Sequence, residues 1–306
     1  MSGDTVADAD LRADWLTGKR FSNDLNVERA LPASIEPDID LLLERAQLRD
    51  GMTLLDVGSG DGAVALRAIE QVGVSLKVFI TDISPKLLSR AEERARERGV
   101  ARQCTFVQSS AQSMHAIAGA SVDAITARAM IGHLPDKPAV FREFYRVLKP
   151  GGRISLVEPI RRDEAFEVSA LRSLVEANAD APGNLFFRLL HRWKRTPFPG
   201  TEAEAACTPT TSFSERDLVN IAMQCGFVDI HMEFHIDVGL SLCGSRDTPL
   251  DSTPLPWSPT LRQLMAEEFD AQEQRMFEQV MRSQMGLRDM RAVNRMAFLS
   301  ARKPVS

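Results

Sequence analysis

The stretch Leu54-Leu55-Asp56-Val57-Gly58-Ser59-Gly60-Asp61-Gly62 restricts the fold more than any other part of the chain. An apolar run ends in a carboxylate, glycines follow at once, and Ala63-Val64-Ala65-Leu66-Arg67-Ala68-Ile69 then takes up a helical pattern. Strand, tight glycine turn and helix form the opening unit of a nucleotide-binding α/β domain. Gly58 and Gly60 allow a sharp bend and a close ligand approach where a Cβ would collide. Gly58-x-Gly60-x-x-Ala63 also satisfies a relaxed dinucleotide fingerprint, so the glycines alone leave the ligand open. Asp56 narrows the choice. A carboxylate at the mouth of the first strand repels a diphosphate and suits a cation, such as a ligand with an α-ammonium and a sulfonium. Its plainer role is to cap the turn.

Ahead of this unit, residues 1 to about 12 read as frayed. Trp15 and Phe21 then either pack onto the domain or cover a ligand. Ile39, Leu42, Leu43 and Ala46 recur at helical spacing and lead through Gly51 into the first strand. Beyond it, Leu76–Ile80 is a second buried strand ending at Thr81-Asp82-Ile83. Ser84 caps the next helix and Pro85 opens its first turn. An acid at the end of the second strand, about twenty residues past a glycine turn, can accept both hydroxyls of a ribose, which assigns that task to Asp82. Cys104–Gln108 is a third strand, followed by Ser109-Ser110-Ala111. Val122–Ala127 is a fourth, leading into Arg128 and His133. A helix over about 138–148 runs into the turn Lys149-Pro150-Gly151-Gly152, and Arg153–Glu158 is a fifth strand. Such alternation implies a parallel sheet with helices on both faces. Ligands bind beyond the carboxyl ends of its strands, where Asp56, Asp82, Ser110, Arg128 and Glu158 all fall.

Composition excludes several alternatives. The chain has 306 residues, 44% hydrophobic and 26% charged, with a net charge of −5, so it lacks the basic footprint of a nucleic-acid binder. No apolar run is long enough to span a bilayer, and the acidic N-terminus does not read as a signal peptide. Cys104, Cys207, Cys225 and Cys243 form no CxxC pair and read as free thiols of a cytoplasmic protein.

The motifs together resemble the class I S-adenosylmethionine-dependent methyltransferases of the small-molecule kind. The resemblance rests on Leu55–Gly62, Thr81-Asp82-Ile83, Val122–Ile125 and Phe144–Arg153. It covers about residues 40–160, with a weaker echo over 213–303. It implies a Rossmann-like seven-stranded sheet of order 3-2-1-4-5-7-6 with strand 7 antiparallel. The last two strands would be Val228–Val238 and Val293–Ser300, after a helix capped by Ser214. The cofactor implied is S-adenosyl-L-methionine. Backbone at Gly58, Ser59 and Gly60 would hold its methionyl part, with Asp56 near the amine and Arg128 bordering the same group. Asp82 would hold the ribose, Ile83 would lie on the adenine, and Ser110 and Ala111 would flank its edge. Ser110 departs from the Asp common at that position in the family, which weakens the expected adenine contact.

The segments divide as an N-terminal helical cap (1–50), a cofactor-binding core (51–160), a helical lid insertion (161–212) and a C-terminal completion (213–306). The last part contains a helical insertion at about 240–290. The basic amphipathic run Leu185–Arg195 reads as a lid helix rather than a membrane-surface helix. Leu264, Met265, Phe269, Met276, Phe277 and Met281 read as one helix whose methionines are adaptable core. His133 is the candidate base, in the place where the family puts substrate-side residues. Glu158 is a second catalytic candidate, able to hold a substrate amine or hydroxyl. His231, Glu233 and His235 alternate on one strand face, and a solvated face is a plainer reading than metal. The expected activity is methylation of O, N or C on a small, partly apolar metabolite. The rivals are a cofactor-binding enzyme with another reaction and a non-catalytic binding module. Neither nucleic acid nor membrane is an expected partner, and self-association as a homodimer stays open.

Overall fold

In the computed structural model, which describes residues 6–17, 20, 25–181, 183–240, 248–285 and 291–305, the apolar run ahead of the glycine turn is β1 (Thr53–Val57). The other strands are β2 (Lys77–Asp82), β3 (Cys104–Gln108), β4 (Val122–Arg128), β5 (Leu148–Pro159), β6 (Val228–Leu240) and β7 (Arg291–Arg302). They form one seven-stranded sheet of order β3-β2-β1-β4-β5-β7-β6. β1 to β5 run parallel to one another, and β7 lies antiparallel between β5 and β6, as the resemblance implied. The Asp123 carboxylate accepts the Thr53 N–H and both its oxygens accept from Lys149 Nζ, all at 2.8 Å. One side chain thus ties together β1, β4 and the start of β5.

The helices are α1 (Val6–Thr17), α2 (Leu25–Ala46), α3 (Ala63–Val72), α4 (Pro85–Glu97), α5 (Lys137–Val147), α6 (Arg162–Ala177), α7 (Asn184–Lys194), α8 (Glu202–Cys207), α9 (Glu215–Gln224), α10 (Thr248–Asp251), α11 (Leu261–Glu268) and α12 (Ala271–Met285). Successive strand residues point to opposite faces, so each face of the sheet builds its own core. On one, Leu54, Val78 and Ile80 meet Leu42, Val64, Ile69 and Leu88 of α2, α3 and α4. On the other, Leu55, Ile125 and Ile154 meet Phe141, Phe144 and Leu218 of α5 and α9. Ser84 caps α4 by accepting the Leu87 N–H at 3.4 Å, with Pro85 in the first turn. Ser214 and Asp217 form a capping box at the start of α9.

Two expectations are corrected. The N-terminal segment is helical from Val6, not frayed to about residue 12. Tertiary contact orders it: Trp15 is buried, and its Nε1 donates to the Thr253 carbonyl at 2.8 Å. The 264–281 region is two helices rather than one. Asp270 ends the first by accepting the N–H groups of Gln272 and Glu273 at 2.8 and 2.9 Å, which caps α12. Leu189 of α7 packs with Leu264, Met265, Phe269 and Phe277, and Phe186 stacks on Phe277 at 5.4 Å. The amphipathic run therefore covers its apolar side with the second insertion. Among the described residues, no helix is long and apolar enough to cross a membrane. Cys104, Cys207 and Cys225 are free; Phe21 and Cys243 lie outside the described residues.

Candidate cofactor and acceptor site

The glycine turn is locked from beneath. Ser59 Oγ donates to the Asp56 carbonyl at 2.7 Å, and the Ser59 N–H donates to the Thr81 carbonyl at 2.9 Å. Gly58 has φ 63°, and a Cβ there would stand 2.7 Å from Met130 Cγ, so packing as well as backbone angle requires glycine. Gly60 has φ 58°, and a Cβ there would meet no atom within 4 Å. The first glycine serves the protein. The second faces open space that a ligand can enter.

Asp82 braces this turn. One carboxylate oxygen accepts the Gly60 N–H and the other the Ser84 N–H, each at 2.9 Å. Burial pushes its carboxyl upward, against those two backbone donors. Each oxygen keeps further acceptor capacity, so the side chain can position the turn and still receive hydroxyls. The Ser109 N–H donates to the Asp82 carbonyl at 3.0 Å, and Gln108 Nε2 donates to the Ile83 carbonyl at 3.1 Å. These bonds bring Ile83, Ser110 and Ala111 to the joined ends of β2 and β3. Ser110 Oγ accepts the Gln112 N–H at 3.3 Å.

Asp56 is 1% exposed. Thr126, its register partner on β4, donates its hydroxyl to Oδ1 at 2.8 Å, while Oδ2 is buried without a partner. Burial pushes the carboxyl up to about 7, opposed by the hydrogen bond from Thr126. Arg128 ends β4, half-buried, and its Nε is also buried without a partner. An orphaned carboxylate oxygen, an orphaned guanidinium donor and open room at Gly60 fit an α-amino acid head with its ammonium and carboxylate. They fit S-adenosylmethionine.

Glu158 does not take its expected place at the substrate. It is 1% exposed. Its Oε1 accepts the Met130 and Ile131 N–H groups, both at 2.9 Å, and its Oε2 accepts the Gly132 N–H at 3.1 Å. The side chain therefore holds the 3₁₀ turn Ile131–His133 that follows β4. His133 stands at the end of that turn, edge-on to Trp257 at 6.1 Å, with Nδ1 buried and unpartnered. Burial and the nearby charges of Arg12, Arg161 and Lys137 push its pKa down to about 3. It is a neutral imidazole and a poor proton acceptor. Lys137 Nζ donates to the carbonyls of Leu134 and Pro209 at 3.0 and 2.8 Å and lies 4.5 Å from the Phe213 ring centroid.

Sequence reasoning missed Thr126, Met130 and Trp257. Thr126 would follow from the register of Asp56 once strand order is known. Trp257 lies in a proline-rich stretch that carries no signal linking it to His133. Glu233, by contrast, sits between His231 and His235 at 3.1 and 3.4 Å and pairs with Arg45 at 2.6 Å, a polar cluster on the edge strand β6.

Comparison with known proteins bears on the family and the fold. Residues 48–194 match the family described as Methyltransferase domain. The chain is 38% identical over 105 residues to the ubiquinone/menaquinone biosynthesis C-methyltransferase UbiE of Nitrobacter hamburgensis, covering 34% of this chain and 41% of that one. It is 40% identical over 110 residues to UbiE of Brucella anthropi, covering 36% and 41%. The chain thus spans about two fifths of the curated relatives it matches. Among solved structures, the YcgJ protein of Bacillus subtilis superposes with a TM-score of 0.56 at 18% identity, over 88% of this chain and 99% of that one. Geranyl diphosphate C-methyltransferase from Streptomyces coelicolor A3(2) gives a TM-score of 0.51 at 16% identity, over 90% and 82%. These two likenesses show the fold. Residues 48–194, just under half of the chain, thus carry the methyltransferase-domain match, and the strand order is that of a class I S-adenosylmethionine-dependent methyltransferase.

Proposed function

We propose that this protein transfers a methyl group from S-adenosylmethionine to O, N or C of a small, partly apolar metabolite. The observation that carries the reading is the pairing of open space at Gly60 with two buried, unpartnered polar atoms, Asp56 Oδ2 and Arg128 Nε. In this reading Gly58, Ser59 and Gly60 frame the methionyl part, Asp56 faces its amine and Arg128 its carboxylate. Asp82 receives the ribose. Ile83, Ser110 and Ala111 border the adenine. When bound, the cofactor supplies an activated methyl on a sulfonium.

The chain's own share is to bind, orient and exclude water. The helices α7, α11 and α12 cover the acceptor, and their packing against each other gives that cover a core of its own. His133, neutral and held by the turn that Glu158 fixes, presents a hydrogen-bonding imidazole to the acceptor rather than a strong base. Positioning supplies much of the rate in a displacement of this kind, because correct approach converts a bimolecular step into an effectively unimolecular one. The setting of the reaction is the cytoplasm, with a small molecule as the partner.

Incubation with methyl-labelled cofactor and a metabolite extract tests the reading. Label in a small-molecule product is expected. An unlabelled new product would support a different reaction on the same fold, and retained cofactor without turnover would leave a binding module.

A further inference from the structure

The carboxyl edge of the sheet carries guanidinium groups beyond the one the cofactor contacts use, beside the carboxyls Asp38, Asp61 and Glu158 that act on Arg128. Arg128 ends β4 and pairs in register with Val157 of β5. Arg161 lies two residues past the end of β5, at the same edge of the sheet, and precedes α6. It is half-buried and makes no hydrogen bond or ion pair among the described residues. Two carboxyls face it, Glu158 and Glu164. Glu158 is occupied by three backbone N–H groups. Glu164 lies 3.9 Å from Arg295, and burial pushes its carboxyl upward.

Further cations converge on the same place. Arg20, between α1 and α2, lies near both Arg128 and Arg161 and stacks over Trp15 at 5.0 Å. Arg12 of α1 lies near His133 and Asp82. Arg12 and Arg20 have other interactions of their own, so they lend field rather than a vacant donor. Arg12 and Arg161 both act on His133, whose buried Nδ1 has no partner. Gathering partly desolvated guanidinium groups is costly unless an anion joins them. The planar fork of arginine matches a carboxylate or phosphate.

We propose that the methyl acceptor carries an oxyanion, a carboxylate or phosphate, held by Arg161 in the field of Arg12 and Arg20, with its reacting end toward His133. This rests on the methyl-transfer reading. It separates two anions: Arg128 takes the carboxylate of the cofactor, and Arg161 takes that of the acceptor.

The test is calorimetric titration of the full chain saturated with S-adenosylhomocysteine. The probes are benzoate, its neutral counterpart benzamide, and inorganic pyrophosphate. At least one anion is expected to bind once per chain while benzamide does not, and the preferred anion tells carboxylate from phosphate. Arg161→Gln should weaken that binding at least tenfold, and Arg161→Lys should weaken it less. Both variants should keep S-adenosylhomocysteine affinity within twofold, which also shows that they fold. Absence of anion binding to the loaded protein overturns the proposal, and so does unchanged binding in Arg161→Gln. A matching loss of S-adenosylhomocysteine affinity in that variant overturns it too, because Arg161 would then belong to the cofactor site. Failure of the unaltered protein to bind S-adenosylhomocysteine sinks the methyl-transfer reading instead.

Discussion

The Thr126 hydroxyl donates to Asp56 Oδ1 at 2.8 Å across the β1–β4 pair and leaves Oδ2 buried and unpartnered. A carboxyl raised to about 7 binds its proton more tightly folded than unfolded. Between its ordinary value and about 7 the folded state therefore holds the extra proton, and stability falls as pH rises through that window. A cationic amine reverses the preference, because it favours the carboxylate. S-adenosylhomocysteine affinity should then tighten about tenfold from pH 6 to pH 8, as the proton is released on binding. Asp56→Asn should flatten that dependence and weaken binding, while raising stability at pH 8 by about 1 kcal/mol or more. Calorimetry and urea unfolding at both pH values measure the two effects; a pH-independent affinity in the unaltered protein would count against Asp56 facing the amine.

Gly60 and Gly58 should respond differently to alanine. Both have positive φ, which costs a non-glycine residue about 1 kcal/mol or more. Gly60→Ala adds a methyl to open space, so the protein should fold and lose S-adenosylhomocysteine binding. Gly58→Ala adds a clash with Met130, so it should lower the melting temperature further. Thermal melts with and without S-adenosylhomocysteine separate the two.

Glu158→Gln should destabilise the fold by about 2 to 4 kcal/mol, because an amide cannot accept all three N–H groups with both of its ends. Urea unfolding checks this. A change below about 0.5 kcal/mol would show that the turn stands without the carboxylate.

His133→Gln should reduce kcat by less than about tenfold, since removal of a working general base typically costs a hundredfold or more. The kcat/KM profile of the unaltered protein should show no inflection near pH 6.5 from this imidazole, whose pKa of about 3 lies well below that range. A hundredfold loss, or a limb near pH 6.5 that the substitution removes, would restore His133 as the base.

Much of the core was legible because its signals are local. Alternation of short apolar runs with amphipathic helices and the caps at Ser84 and Ser214 act over a few residues; the turn expected at 149–152 is instead the first part of β5, with Gly151 at φ 80°. The placement of Asp82 beside the glycine turn was legible too, since strand ends meet at one edge in any such sheet. The order of helix and loop at 264–281 was less so. Periodicity continued through Phe269, but the Asp270 cap ended the helix there.

The sequence by itself determined the alternating strand-and-helix core through β5 and the edge on which chemistry is placed, because period and turn chemistry are written residue by residue; the last two strands and their order were what the family resemblance implied. Only the tertiary structure decided what Glu158 and His133 do. A carboxylate at a strand end can face a ligand or a loop, and the choice fell to the three N–H groups that the turn after β4 brings within 3.1 Å. The same holds for His133: its proton affinity is set by Arg12, Arg161 and burial, which come from chain segments far apart in sequence and meet only when folded.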